Sequence, residues 1–153
     1  MNLIALESQL PLMNVKFMHQ EKPATRDKLK AENLIFVVDD EPMLLELASI
    51  ILTSIGYNVV TFRDPQMAVI AFSQAEMAPA LVITDYSMHR MNGLEMIGAF
   101  REVNPKQKVL MVSGTVDEHI YRNADSKQKP NQFLQKPYVA NQFTRLVKEM
   151  LGD

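Results

Sequence analysis

The chain of 153 residues has no cysteine, no tryptophan, almost no net charge and no long apolar run. The absence of cysteine excludes disulfide bonds and thiolate metal sites, and it suits the reducing cytoplasm in which we expect the protein to work. A net charge of −2 provides no basic field, so no direct contact with nucleic acid is expected. Without an apolar stretch of about 18–20 residues, the sequence predicts no membrane segment.

The N-terminal extension, residues 1–32, shows no regular period, because Pro11 and Asn14 interrupt its apolar positions and a charged stretch follows. Two interpretations stay open. The extension is either a mobile segment, including the case of a wrongly assigned start, or an extra helix that docks on the domain or on a partner. From residue 33 the pattern becomes regular, and we assign residues 33–153 to one domain.

Short apolar runs alternate with helical patterns along this domain. The runs at 34–38, 59–62, 80–84, 108–112 and 132–135 predict strands. The stretches at 42–55, 65–75, 94–103, 115–124 and 139–151 predict helices, the fourth with a weak apolar line. Strands that alternate with helices predict a parallel sheet covered on both faces, with ligands bound at the carboxyl ends of the strands.

Polar residues follow four of the five predicted strands. They are Asp39, Asp40 and Glu41 after the first strand, Asp85 after the third, Ser113, Gly114 and Thr115 after the fourth, and Lys136 and Pro137 after the fifth. Because the carboxyl ends of parallel strands share one edge of the sheet, we expect these groups to lie close together.

Such a group of residues has a definite chemistry. Three crowded carboxylates repel one another, and a hard divalent cation relieves that repulsion. An aspartate can act as a nucleophile and form an acyl phosphate. The phosphoryl oxygens then need donors, which Lys136 and Ser113 supply, while Gly114 leaves room for the phosphoryl group to enter.

Each feature alone is more often structural. An Asp-Asp pair before a helix is about as often a capping device as a metal site, and Ser-Gly or Lys-Pro after a strand is usually a turn. The combination, with each group after the appropriate strand, favours the phosphoryl-transfer interpretation.

Four segments, VVDDEP (37–42), ITDYSMHRMNGLEM (83–96), LMVSGT (110–115) and FLQKPY (133–138), resemble in order and spacing the signature segments of receiver domains from two-component signalling. The resemblance covers residues 33–152. It implies a flavodoxin-like, doubly wound α/β fold with a five-stranded parallel sheet in the order 2-1-3-4-5. The implied function is a phosphorylation-activated switch that catalyses only its own phosphorylation and dephosphorylation.

The resemblance also implies a role for each site residue. Asp85 is the phosphoacceptor, and its donor is a histidine kinase or a histidine phosphotransfer protein. The implied metal is Mg²⁺, with Mn²⁺ as a substitute, held by Asp40, Asp85 and the backbone carbonyl of Ser87, while Asp39 acts through water. The phosphoryl-binding residues are Ser113, Gly114 and Lys136, the switch residues are Ser113 and Phe133, and the positions that tune phosphoryl lifetime are Ser87 and Thr115.

The implied surfaces are less specific. Kinase docking is assigned to Pro42, Leu44, Leu45, Pro137 and Tyr138, with a cis bond expected before the second proline. Output to an unknown downstream protein is assigned to the face made by helix four, strand five and helix five, in a monomer or a phosphorylation-linked dimer. For Phe133 the alternative is an ordinary core phenylalanine.

Two departures from the family pattern bear on the site. His89 stands where the family usually has proline, and we interpret it as a solvated residue rather than one that loosens the loop or adds a titratable group. The segment NADSKQKPNQF (123–133) lacks the usual Gly-Ala pair, which together with the weak apolar line predicts a short or mobile helix four.

Two other functions compete with the switch. Aspartate-nucleophile phosphatases of the haloacid dehalogenase type use similar groups, but their nucleophile follows the first strand as Asp-x-Asp, whereas this chain has Asp39-Asp40-Glu41-Pro42. A receiver-like module that binds its partner without phosphorylation is the second. Because Gly152 and Asp153 alone follow the last predicted helix, we expect either a stand-alone receiver or a fragment of a longer regulator.

Overall fold

The computed structural model describes residues 33–114 and 118–153, without the side chains of residues 118–120. The predicted extension (1–32), Thr115 and the first residues predicted for helix four lie outside the described residues. The strands are β1 (Leu34–Val38), β2 (Asn58–Phe62), β3 (Leu81–Asp85), β4 (Val109–Ser113) and β5 (Gln132–Gln135). The helices are α1 (Pro42–Ser54), α2 (Pro65–Gln74), α3 (Gly93–Val103), α4 (Glu118–Asn123) and α5 (Ala140–Leu151), with a 3₁₀ turn at Ser126–Gln128.

The five strands form one parallel sheet in the order β2-β1-β3-β4-β5, which confirms the predicted fold and strand order. Strands β3 and β4 are buried along their whole length, as expected for unbroken apolar runs covered on both faces. The chain reverses its winding direction at β1 and β3, so the carboxyl ends of these two neighbouring strands line the crevice where ligands bind in such sheets.

The core consists of two apolar layers, one on each face of the sheet. One layer packs α1 and α5 against the sheet, with Leu52, Phe143 and Val147 fully buried. The other packs α2 and α3, with Ala68 and Phe100 fully buried. Successive side chains of β1 alternate between the two layers, because a strand directs consecutive residues to opposite faces. The rigid sheet between these layers fixes the positions of the loops at its carboxyl edge.

The helices begin and end largely where the sequence predicts. Pro42 is the first residue of α1, and Gly56 follows its end with a φ of +99°, a conformation that favours glycine. Asp64 caps α2 by accepting a hydrogen bond from the Gln66 backbone N–H at 2.9 Å. None of the helices in the described part of the chain is long and apolar enough to cross a membrane.

The segment between α4 and β5 is held against α3 by one arginine. The Arg101 guanidinium donates to the backbone carbonyls of Lys127 and Lys129 and, at 2.9 Å, to the side-chain oxygen of Asn131. Among the described residues, helix α4 covers Glu118–Asn123. That this helix is short or mobile stays a prediction, since residues 115–117 lie outside the described residues.

Candidate functional site

Three carboxylates converge at the carboxyl edge of the sheet. Asp39 and Asp40 follow β1, and Asp85 is the last residue of β3, the strand that pairs with β1. Each contributes a carboxylate oxygen to a group whose members all lie within 4.8 Å of one another. Asp39 and Asp85 are buried, with exposed fractions of 6% and 8%. The predicted proximity of these side chains is therefore confirmed.

Lys136 places one ammonium between two of these carboxylates. Its Nζ lies 3.1 Å from Asp39 Oδ2 and 3.5 Å from Asp85 Oδ1. The Lys136 backbone N–H donates to the Ser113 carbonyl at 2.9 Å, which extends the pairing of β4 and β5 to this residue. The Lys136–Pro137 peptide bond is cis, as expected. Burial alone would lower the pKa of Lys136, but its ion pairs with Asp39 and Asp85 outweigh burial and raise that pKa above its ordinary value.

The folded protein disfavours the ionised form of the Asp85 side chain. Burial raises its pKa above the ordinary value, and the charge of Asp39 adds to the rise. The Lys136 ammonium and the Tyr86 backbone N–H oppose it without cancelling it. Since three carboxylates face one ammonium, the group keeps an excess of negative charge that a bound cation would relieve.

We expect Asp85→Asn to stabilise the metal-free protein at pH 7 by ~1 kcal/mol. The pKa of Asp85 in the folded protein is higher than its value in the unfolded chain, near 3.8. Protonated Asp85 therefore stabilises the fold at a pH below 3.8, and this contribution is lost as the pH rises through the folded-state pKa. The advantage of the variant should therefore be small near pH 4 and grow toward pH 7. Urea unfolding with a chelator across this range measures it, and an advantage that shrinks with rising pH would contradict the account.

The predicted phosphoryl-binding residues lie beside the carboxylates. Ser113 ends β4 and is almost fully buried, and it comes one residue after Val112, which pairs with Asp85 across the sheet. A Cβ added at Gly114 would meet no atom of the described residues within 4 Å, so they leave the space there open. Ser87 is exposed in the loop that follows β3, two residues beyond the predicted acceptor.

Two side chains of the loop after β3, those of His89 and Arg90, each contact a carboxylate. His89 is 92% exposed, as a solvated residue should be, but its Nδ1 lies 2.6 Å from Asp40 Oδ2. Arg90 has a φ of +71° and donates from Nη1 to Asp64 Oδ2 at 3.0 Å. His89 is therefore part of the surroundings of the site, because it contacts a carboxylate predicted to bind the metal.

One residue predicted to dock the kinase, Leu45, does not lie on the surface. Leu45 is only 5% exposed and packs in the core, because α1 turns this position toward the sheet. It cannot present a surface to a partner. Pro42 and Pro137 are exposed and Leu44 is half-buried, while Tyr138 is half-buried and stacks on Phe143 with ring centroids 5.1 Å apart.

The predicted switch aromatic, Phe133, is half-buried on β5 and packs against the layer of α2 and α3. It is neither a fully buried core residue nor a free surface residue. The predicted rotation of its ring stays a prediction.

Gly93 is a site residue that sequence reasoning missed. A Cβ there would lie 2.5 Å from the Asp85 carbonyl oxygen and 3.2 Å from Tyr86 Cα. The Gly93 N–H donates to the Tyr86 carbonyl at 2.9 Å. Only glycine allows α3 to begin this close to the predicted acceptor. Asn92 caps the same helix through a capping box with Glu95, and the Asn-x-x-Glu spacing was the available signal.

The donor set fits a hard divalent cation. Mg²⁺ takes oxygen ligands and is usually held by one or two carboxylates together with water. The described residues offer three carboxylates in a partly buried group, with an excess of negative charge and open space beside Gly114. The residues that could hold such an ion are Asp39, Asp40 and Asp85.

The model of the response regulator receiver domain family matches residues 35–148, and the chain belongs to this family. Receiver domains are in general signalling switches of two-component systems rather than enzymes.

The relatives agree with this assignment. The transcriptional regulatory protein KdpE of Mycobacterium tuberculosis is 38% identical over 110 residues, which cover 72% of this chain and 47% of KdpE. The chain spans about half the length of some curated relatives and about a quarter of others.

The fold matches solved structures closely. A CheY-like receiver domain from Methanospirillum hungatei superposes with a TM-score of 0.72 at 21% identity, covering 78% of this chain and 94% of that one. The response regulator TrrA of Thermotoga maritima, solved in complex with Mg²⁺ and BeF, gives a TM-score of 0.67 at 26% identity, covering 77% of this chain and 98% of that one.

Proposed function

We propose that this protein is a signalling switch that receives a phosphoryl group on Asp85 in a Mg²⁺-dependent reaction. The donor is a histidine kinase or a histidine phosphotransfer protein, and the reaction takes place in the cytoplasm. The observation that carries the proposal is the convergence of Asp39, Asp40, Asp85 and Lys136 at the carboxyl edge of the sheet. TrrA, which has the same fold, was solved with Mg²⁺ and BeF.

In the proposed reaction an Asp85 carboxylate oxygen attacks the phosphorus of the donor. A new oxygen–phosphorus bond forms while the bond from phosphorus to the donor's histidine nitrogen breaks. Lys136 lies 3.5 Å from Asp85 and is positioned to neutralise the phosphoryl oxygens. Ser113 and the open space at Gly114 accommodate the group. Asp40, Asp85 and the Ser87 carbonyl, with Asp39 acting through water, would hold Mg²⁺, which would supply positive charge to the phosphoryl oxygens and reduce carboxylate repulsion.

Mn²⁺ can replace Mg²⁺ at this site, because it accepts the same oxygen ligands. After phosphorylation, Ser113 and Phe133 shift and alter the face of α4, β5 and α5, which contacts a downstream protein. Ser87 and Thr115 tune the lifetime of the phosphoryl group.

The surface that contacts the phosphoryl donor consists of Pro42, Leu44, Pro137 and Tyr138. We assign residues 33–153 to the receiver domain and residues 1–32 to an N-terminal extension.

Incubation with acetyl phosphate and Mg²⁺ tests the proposal. Intact-mass measurement should show one added phosphoryl group on the wild type and none on Asp85→Asn or without the metal. Ser73→Ala, a change on the exposed side of α2, is the matched control and should accept the group normally. A folded wild type that gains no phosphoryl group would refute the switch and favour a module that binds its partner without phosphorylation.

A further inference from the structure

We propose that the apolar part of the N-terminal extension, residues 3–18, binds the exposed apolar face of α1. The contact covers the first turns of this helix, next to Pro42 and Leu44. A protein that delivers a phosphoryl group must then displace the extension, whereas a small phosphoryl donor need not. The contact itself is independent of the proposed function, and its consequence for the donor rests on that function.

Three apolar side chains form an exposed stripe along α1. Met43, Leu47 and Ile50 are 81%, 46% and 61% exposed. Their spacing of four and three residues places them on one line along the helix. Leu45 and Leu52, which α1 buries in the core, lie on the opposite side of the helix. The stripe is therefore no part of the core, and the described residues leave it uncovered.

The stripe borders a groove between α1 and β2, the edge strand of the sheet. The groove has a volume of about 320 Å³, and Ser49, Ile50 and Thr61 contribute to its lining. Among the helices that the structure describes, α2 has two large apolar residues exposed, Met67 and Ile70, which span a single turn. The stripe on α1 is longer and has the groove beside it, so it offers the larger apolar binding surface.

The extension has the composition of a segment that covers such a surface. Only Glu7 and Lys16 are charged between residues 3 and 18, and nine residues there are large and apolar. The nine are Leu3, Ile4, Leu6, Leu10, Leu12, Met13, Val15, Phe17 and Met18. Residues 19–33 are mostly polar, with seven charged side chains. Because apolar surface leaves water favourably, the first part is suited to cover the stripe and the second to connect it to the domain.

The extension joins the domain beside the end of α1. Leu34, the first residue of β1, pairs with Asn58 of β2. Asn58 follows Tyr57, whose backbone N–H donates to the carbonyl of Leu52 near the end of α1 at 3.1 Å. The 15 residues 19–33 can span up to roughly 50 Å, whereas the 13 residues of α1 extend over about 20 Å. The apolar segment can therefore reach the whole stripe.

This attachment favours the extension over a separate occupant of the stripe. A short linker holds a tethered segment at an effective concentration on the order of millimolar. A second copy of the chain at micromolar concentration would compete poorly with a segment held this close.

Paramagnetic relaxation enhancement in the full chain tests the inference. Because the chain has no cysteine, Ser8→Cys provides a single attachment point for a nitroxide at a polar position of the extension. The label should broaden the amide signals of α1 and leave those of α3, on the other face of the sheet, sharp. Leu47→Glu combined with Ile50→Glu should abolish the broadening. Leu6→Glu combined with Leu10→Glu should also abolish it, and this second variant leaves the core of the domain unchanged.

Met67→Glu is the matched control, because it also places a charge at an exposed apolar position, but on α2. It should keep the broadening of α1. The inference is overturned if the α1 signals stay sharp in the wild-type background, or if the charged variants of α1 and of the extension keep the broadening. It is also overturned if a labelled chain broadens α1 of an isotopically enriched chain mixed with it, which would assign the stripe to a second copy. Broadening of α1 in a protein that accepts no phosphoryl group from acetyl phosphate would support the contact and refute the proposed function.

Discussion

Gly93→Ala should lower the free energy of unfolding by about 3 kcal/mol, the upper part of the range for forcing an extra methyl group into a packed site. A Cβ at this position would lie 2.5 Å from the Asp85 carbonyl oxygen and 2.9 Å from the Met111 side chain. The side chain can move, but the carbonyl belongs to the end of β3 and cannot retreat without displacing the acceptor. We therefore expect phosphorylation by acetyl phosphate to slow as well.

The matched control lies in the same helix. Gly98→Ala places its Cβ 3.3 Å from the Gln128 side chain, which is flexible and can shift. Since alanine favours a helix over glycine by roughly 0.5–1 kcal/mol, this variant should be as stable as the wild type or slightly more stable. Urea unfolding of both variants measures the difference. Equal stabilities for the two alanine variants would show that the contact between α3 and Asp85 is not tight.

Lys136→Met should lower the free energy of unfolding of the metal-free protein by about 2 kcal/mol. Removing one partner from a fully buried ion pair costs roughly 3–5 kcal/mol, because the other charge is left uncompensated. Lys136 keeps 19% exposure, so water screens part of that cost. Asp39 and Asp85 would then repel each other without an ammonium between them. The same variant should lose most of its phosphoryl uptake, since the phosphoryl oxygens lose their donor.

The pH dependence distinguishes this ion pair from simple packing. The pKa of Lys136 is higher in the folded protein than its ordinary value of 10.5. Protonated Lys136 therefore stabilises the fold fully below pH 10.5, and this stabilisation is lost as the pH rises through the folded-state pKa. The difference in free energy of unfolding between wild type and Lys136→Met should be constant near pH 7 and shrink above pH ~10.5. Added Mg²⁺ should also narrow the gap, because it stabilises the carboxylates in place of the ammonium. Lys106→Met, which changes an exposed lysine, should alter neither the free energy of unfolding nor the phosphoryl uptake. A stability difference between wild type and Lys136→Met that depends on neither pH nor Mg²⁺ would contradict the electrostatic explanation.

Most of the fold was predictable from the sequence, because its determinants are local. Apolar runs such as 34–38 and 80–84 are typical of strands buried on both faces in a covered parallel sheet, and Asp64-Pro65 is a direct start signal for a helix. The grouping of Asp39, Asp40, Asp85 and Lys136 follows from the fold, since parallel strands bring their carboxyl ends to one edge.

The remaining features depend on distances that no local pattern encodes. The proximity of Gly93 to the Asp85 carbonyl depends on how α3 is set against β3, and Asn92-Gly93 by itself indicates only a turn. The contact of His89 with Asp40 joins residues 49 positions apart through the conformation of one loop. The burial of Leu45 depends on which face of α1 meets the sheet. Several apolar residues share that helix, including the exposed Met43 and Ile50, so its apolar pattern does not define the buried face sharply.

The most direct test of the central claim is to locate the phosphoryl group. Wild-type protein phosphorylated by acetyl phosphate with Mg²⁺ would be treated with borohydride, which reduces an acyl phosphate to an alcohol, and then digested for tandem mass spectrometry. Asp85 alone should be converted to homoserine, while Asp39 and Asp40 should stay intact. Conversion of Asp39 or Asp40 instead, or of no aspartate in a protein that carries a phosphoryl group, would contradict it.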